Sequence, residues 1–310
     1  MNTKKYPTTL FILAFAIIAA CGGQTVATAD QIPSSPDGTV KFVAEKVADG
    51  HPEVVWEALP ETYQTDINDL THLFATKVDQ EVWDKSFSLL RKTTVVLQDK
   101  KDLFLGSQLL AMAQDNQDEI VGNWDTATVV LSTLVNSDLG NLKSLETIDW
   151  GQFMATTGAQ LMQVAKEASA ATEDNDYEED FLAKVEGLQI EVLENADGMA
   201  KLKITAPDEE PEEVEMTQVE GRWVPSDMAQ DWDENVAEAR AKLEKITPET
   251  IAQQKMQIMM MVGMAEAFVD QVAQAKTSEE LDQMLQGLLG GLLGGAMGSP
   301  PPQMDDAQAE

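Results

Sequence analysis

Histidine and cysteine are nearly missing from this chain of 310 residues, which holds two of the first and one of the second. Few side chains can therefore titrate near neutrality, which leaves little material for histidine-based acid–base or nucleophilic chemistry. Basic residues are scarce as well, with 21 Lys and Arg against 54 Asp and Glu and a formal charge of −33. Binding to nucleic acid works by displacing counterions from phosphates with cationic side chains, so this composition excludes nucleic acid and makes bare anionic lipid a poor partner. Prolines, at 12, are too few for a collagenous or wholly disordered chain, and 43% hydrophobic content is enough for one large domain or two modest ones.

The apolar run nearest the amino end, Leu10 to Ala20, has 11 residues, whereas a helix needs about 20 to cross a hydrocarbon core. It follows Lys4 and Lys5 and ends in small residues before Cys21, the organisation of a cleaved signal peptide. The tetrad Ile18-Ala19-Ala20-Cys21 resembles the bacterial lipoprotein signal, in which the cysteine becomes acylated and then amino-terminal. Cys21 is the one cysteine and has no internal disulfide partner, and the small polar stretch Gly22 to Ala29 suits a flexible tether. The resemblance implies a membrane anchor through lipidated Cys21, since several acyl chains hold where one does not. With Gly22 rather than Asp after the cysteine, it also implies an outer-membrane site facing the periplasm where the cell is Gram-negative.

Beyond the tether, periodicity predicts an α+β fold, predominantly helical with a small antiparallel meander of three or four strands. Ser35-Pro36-Asp37-Gly38 starts a helix that ends near Asp49-Gly50, and His51-Pro52 starts a second that ends at Leu59-Pro60. From Glu61 to about Ala171 the pattern stays helical. Leu188, Ile190 and Val192 then alternate with polar residues; Asp197-Gly198 and Glu220-Gly221 signal tight turns, with Lys201–Thr205, Val214–Gln218 and Arg222–Val224 as further strands. Of Trp223 and Val224, one must face the helices. Helix resumes after Pro225, with starts at Thr247-Pro248 and at the capping box Thr277-Ser278-Glu279-Glu280. The resulting division is a signal peptide over 1–20, a tether over 21–34, a helical region over 35–185, a sheet packed on helices over 186–225, C-terminal helices over 226–286, and a low-complexity tail over 287–310. Glycines in the tail cost a helix about 1 kcal/mol each relative to Ala, so the tail is expected to be loosely ordered.

Two pieces resemble one family. Ser35 to Leu59, with Ala48-Asp49-Gly50-His51-Pro52-Glu53-Val54-Val55-Trp56, resembles the opening helical hairpin of nuclear transport factor two-like, cystatin-like α+β proteins, many of them exported bacterial lipoproteins. Val219-Glu220-Gly221-Arg222-Trp223-Val224-Pro225 resembles their closing hairpin, and the resemblance implies that Trp223 faces the helices. The chain departs from that pattern by a long helical segment between the two pieces and another after them. No catalytic residue carries over.

Reactive motifs are few. Neither histidine sits in a nucleophile motif, no Gly-x-Ser-x-Gly elbow is present, and the glycines after Gly287 lack the lysine of a phosphate-binding loop. The acidic run Glu173 to Asp180 misses calcium-loop spacing: counted from Asp174, position six is Glu179 rather than glycine and position twelve is Val185 rather than glutamate. No catalytic residue, cofactor or metal is assigned. Met256, Met259, Met260, Met261 and Met264 cluster in one helix, where thioethers could serve soft metals but more simply serve packing. The pattern is apolar nearly all round, which predicts a buried helix; its alternative is a partner surface formed by Met256, Met260, Met264 and Phe268. These readings converge on a lipid-anchored, non-catalytic binding or assembly component of the cell envelope with an envelope protein as candidate partner. The alternative is a small-molecule-binding or hydrolytic enzyme with a pocket between sheet and helices.

Overall fold

The computed structural model describes residues 32–108, 117–171 and 184–296. Cys21 and the run Glu173–Asp180 lie outside the described residues.

The chain opens with α1 (Pro36–Ala48) and α2 (Glu53–Glu57). Ser35 caps α1 by accepting a hydrogen bond from the Gly38 N–H at 3.2 Å, and Pro36 occupies the first turn, where its missing N–H costs nothing. Gly50, at φ 97°, turns the chain between the two helices. α3 (Glu61–Lys77) and α4 (Gln80–Asp99) follow, then the short α5 (Lys101–Leu105), α6 (Gln117–Asn136), α7 (Leu142–Leu145), α8 (Trp150–Phe153) and α9 (Ala159–Ala171). A 3₁₀ turn at Asp138–Gly140 follows α6, and a π-helical turn at Met154–Gly158 joins α8 to α9.

The sheet is antiparallel and four-stranded in the order β1-β2-β3-β4, with β1 Gln189–Ala196, β2 Met199–Thr205, β3 Glu212–Val219 and β4 Arg222–Pro225. Its two tight hairpins have both central residues at positive φ, 54° and 75° at Asp197-Gly198 and 51° and 80° at Glu220-Gly221, which matches the right-handed twist of the flanking strands. Alternation then sorts the faces. On the outer side Glu191, Lys203 and Glu213 pair across three strands, as do Glu194, Lys201 and Glu215. On the inner side Val192 lies opposite Leu202, and Leu202 opposite Val214. A bulge at Leu193 resets the register of the edge strand. Trp223 pairs with Gln218, on the Val214–Met216 face, and joins the core with Val40, as the hairpin resemblance implied. Val224 is buried as well, where the strand turns into the next helix.

Three helices complete the fold: α10 (Ser226–Glu244), α11 (Pro248–Gln274) and α12 (Ser278–Ala296). Helices α1 and α10 pack on the sheet and α3 packs on α10, whereas α11 lies along α4, and α12 returns beside α5 and α11. The core is correspondingly divided, one part around the sheet and others within the helical bundle. At α12, Thr277 Oγ1 accepts from the Glu280 N–H and the Glu280 carboxylate accepts from the Lys276 N–H. This helix continues to Ala296, past the start of the expected loose tail. The reason is cooperative: a capped first turn and docking through buried Leu281 nucleate the helix, and propagation through glycine is cheaper than nucleation.

Candidate functional site

A cavity of about 690 Å³ opens between the inner face of the sheet and helices α1, α2, α3 and α10. This lies in the range of roughly 300–1,000 Å³ typical of small-molecule sites. Ile204, Val214, Met216 and Trp223 form its sheet side. From α1 come Val40, Val43 and Val47, spaced to share one helical face. Met228, Trp232, Val236 and Ala239 supply the α10 side. That stripe recurs every three or four residues, a spacing that marks a core-facing helix as readily as a cavity wall.

The polar atoms of the wall are already engaged. Thr39 Oγ1 donates to the Pro33 carbonyl at 2.8 Å, Trp223 Nε1 to the Ser34 carbonyl at 2.8 Å, and Trp232 Nε1 to Asp66 Oδ2 at 2.9 Å. All three acceptors belong to residues outside the lining. Among the described residues, the only exposed side chains in the lining are Asp227, Asp231 and Asn235, one turn apart on α10, so they edge the mouth. An apolar ligand would thus meet apolar carbon inside and carboxylates at the entrance. Around the clamp formed by α3 and α10, burial raises the Tyr63 phenol above its ordinary pKa, and the nearby Asp233, Glu220 and Asp66 carboxylates push it in the same direction.

A second polar cluster lies at α2. Glu53 is buried and pairs with His51 Nδ1 at 3.0 Å, while Glu57, one turn on, has a buried Oε2 with no hydrogen-bond partner among the described residues. Desolvation raises the Glu57 pKa, Glu53 adds to that, and Arg222 opposes it. His72 lies elsewhere, its Nε2 3.3 Å from the Ile148 carbonyl. Neither histidine lines the cavity. Among the described residues, no group of three or more His, Cys, Asp or Glu side chains is placed to hold a metal ion, and no helix is long and apolar enough to cross a membrane.

The methionine helix corrects the expectation of burial all round. Met256, Met260 and Met264 are 80%, 60% and 61% exposed, and Met261 is exposed beside them. α4 takes the other side of α11, the one bearing Lys255 and Glu266: Lys255 binds Asp79 at 3.0 Å and Glu81 at 2.8 Å, and Lys92 binds Asp270 at 2.6 Å and Glu266 at 3.6 Å. Of the four residues expected on a partner surface, three share the exposed stripe. Phe268 does not; it is half-buried against Val272 and Leu281, where α12 comes alongside.

Compared with known proteins, the chain matches no protein family, no curated protein and no solved structure.

Proposed function

We propose that this protein is an exported, lipid-anchored component of the cell envelope that binds an apolar small molecule without transforming it. The observation that carries the reading is the cavity wall: apolar carbon inside, with each indole N–H and the buried threonine hydroxyl engaged elsewhere. Hydrolysis needs a nucleophile or a general base within hydrogen-bond reach of the bound substrate. The carboxylates of the lining, Asp227 and Asp231, stand exposed at the mouth and neither histidine lines the cavity, which favours binding over the hydrolytic alternative. Cys21, with the signal-like residues before it, supports the anchor. The test is purification of the chain from its native membranes, followed by solvent extraction and mass spectrometry beside a cavity-filled Ala44→Phe chain. A small molecule extracted from the first and missing from the second supports the reading, and identical extracts refute it.

The stripe Met256, Met260 and Met264 favours a second reading, in which the same protein is an assembly component. Thioether side chains adapt to many apolar contours, and an exposed row of them suits a protein partner in the envelope.

A further inference from the structure

We infer that the cavity selects a single-tailed amphiphile with a cationic head and rejects the corresponding fatty acid. This inference rests on the ligand-binding reading above and adds the chemistry of the head group.

The argument begins at the mouth. Among the described residues, Asp227, Asp231 and Asn235 are the only exposed ones of the lining, and no Lys, Arg or His lines the cavity at any depth. Asp227, exposed at the entrance, accepts the neighbouring Met228 N–H at Oδ1. The first basic residue along α10, Arg240, lies beyond the mouth and faces Asp69 of α3 at 3.7 Å. Asp66, which accepts from the lining Trp232, and Asp233, next to Trp232 in sequence, add negative charge that is felt at the Tyr63 ring. A tail seated against Val43, Met216 and Trp232 leaves its head at this rim. There an ammonium meets opposite charge, and a carboxylate meets like charge on a chain whose formal charge is −33.

The tail follows from the walls. Every polar donor inside is occupied, so a second polar group deep in the ligand would be buried without a partner. The ligand therefore carries its polarity at one end. Because the mouth carboxylates are exposed, the preference should weaken as salt is raised, whereas the tail's contribution should not.

The test uses three probes built on twelve-carbon chains, with trimethylammonium, hydroxyl and carboxylate heads, each below its micelle concentration or solubility limit. They are titrated into the full chain carrying Cys21→Ser, which keeps it free of acyl groups, and tryptophan emission is followed. The expected result is binding of dodecyltrimethylammonium at least tenfold tighter than dodecanoate, with dodecanol between them. In Asp227→Asn with Asp231→Asn the gap between the charged probes should close while dodecanol is unaffected. Ala44→Phe and Ala239→Phe should each weaken all three probes. Equal affinity for dodecanoate and dodecyltrimethylammonium, with dodecanol bound, overturns the head-group inference and leaves the cavity reading standing. Failure of dodecanol to bind overturns both. Unchanged binding of the cationic probe in both filled variants places it on the acidic surface rather than in the cavity, which also overturns the inference.

Discussion

Tyr63 of α3 and Trp232 of α10 lie face to face, their ring centroids 3.8 Å apart and their planes 11° from parallel. The same indole donates to Asp66 one turn along α3. A stacked pair and a hydrogen bond on one side chain fix the spacing of two helices distant in sequence. Trp232→Ala should therefore destabilise the fold by about 2–4 kcal/mol, while Trp232→Phe, which keeps a ring and loses the N–H, should cost about 1 kcal/mol. Denaturant midpoints measure both, and equal losses would show that the hydrogen bond rather than the stack holds the helices.

Trp223 should matter more. It is buried within the sheet core, and its Nε1 donates to the Ser34 carbonyl, which ties the start of the helical body to the last strand. Trp223→Ala is expected to cost about 3–5 kcal/mol, measured as a shifted denaturant midpoint at unchanged slope. A change within error would contradict its place in the core.

Two glutamates should respond to pH in opposite directions. Glu220 accepts hydrogen bonds from the Thr62 hydroxyl and, at 3.1 Å, from the Thr62 N–H, and the hydroxyl bond first, then the N–H bond, holds its pKa below the usual glutamate range. Its contribution is present above the unfolded-state pKa and is lost as pH falls through the lower folded value. Glu57 is the reverse: burial raises its pKa, so the native state holds the proton more tightly and stability falls as pH rises from the ordinary glutamate range to the raised value. Melting curves of Glu57→Gln should show a gain at neutral pH that vanishes in acid, and those of Glu220→Gln a loss at neutral pH that vanishes in acid. The same sign in both variants would contradict this account.

Met260→Asp combined with Met264→Asp separates an exposed face from a buried one. On the exposed stripe the pair should leave melting nearly unchanged, within about 0.5 kcal/mol per substitution, and should abolish only crosslinking to an envelope partner. Unfolding of the double variant would show that this face is covered.

Much of the architecture was legible because it is encoded locally. Ser35-Pro36 and Thr247-Pro248 start helices through a side-chain cap and a pre-set φ, and Asp197-Gly198 and Glu220-Gly221 turn hairpins through backbone angles that glycine makes cheap. In the methionine helix, periodicity identifies apolar faces without saying which of them a neighbour covers. Here that choice is made by Lys255 with Asp79 and Lys92 with Asp270, contacts between residues far apart in the chain. The cavity was illegible for a related reason: its lining residues are those of an ordinary core, and the stack of Tyr63 on Trp232 that joins α3 to α10 links residues far apart in the chain.

The most direct measurement of the central claim is titration of the full chain with Nile red, an uncharged dye that brightens in apolar surroundings. Saturable one-to-one binding with enhanced emission is expected, lost in Ala44→Phe and in Ala239→Phe while circular dichroism stays unchanged. No enhancement, or the same enhancement in both filled variants, would contradict a ligand cavity between the sheet and α10.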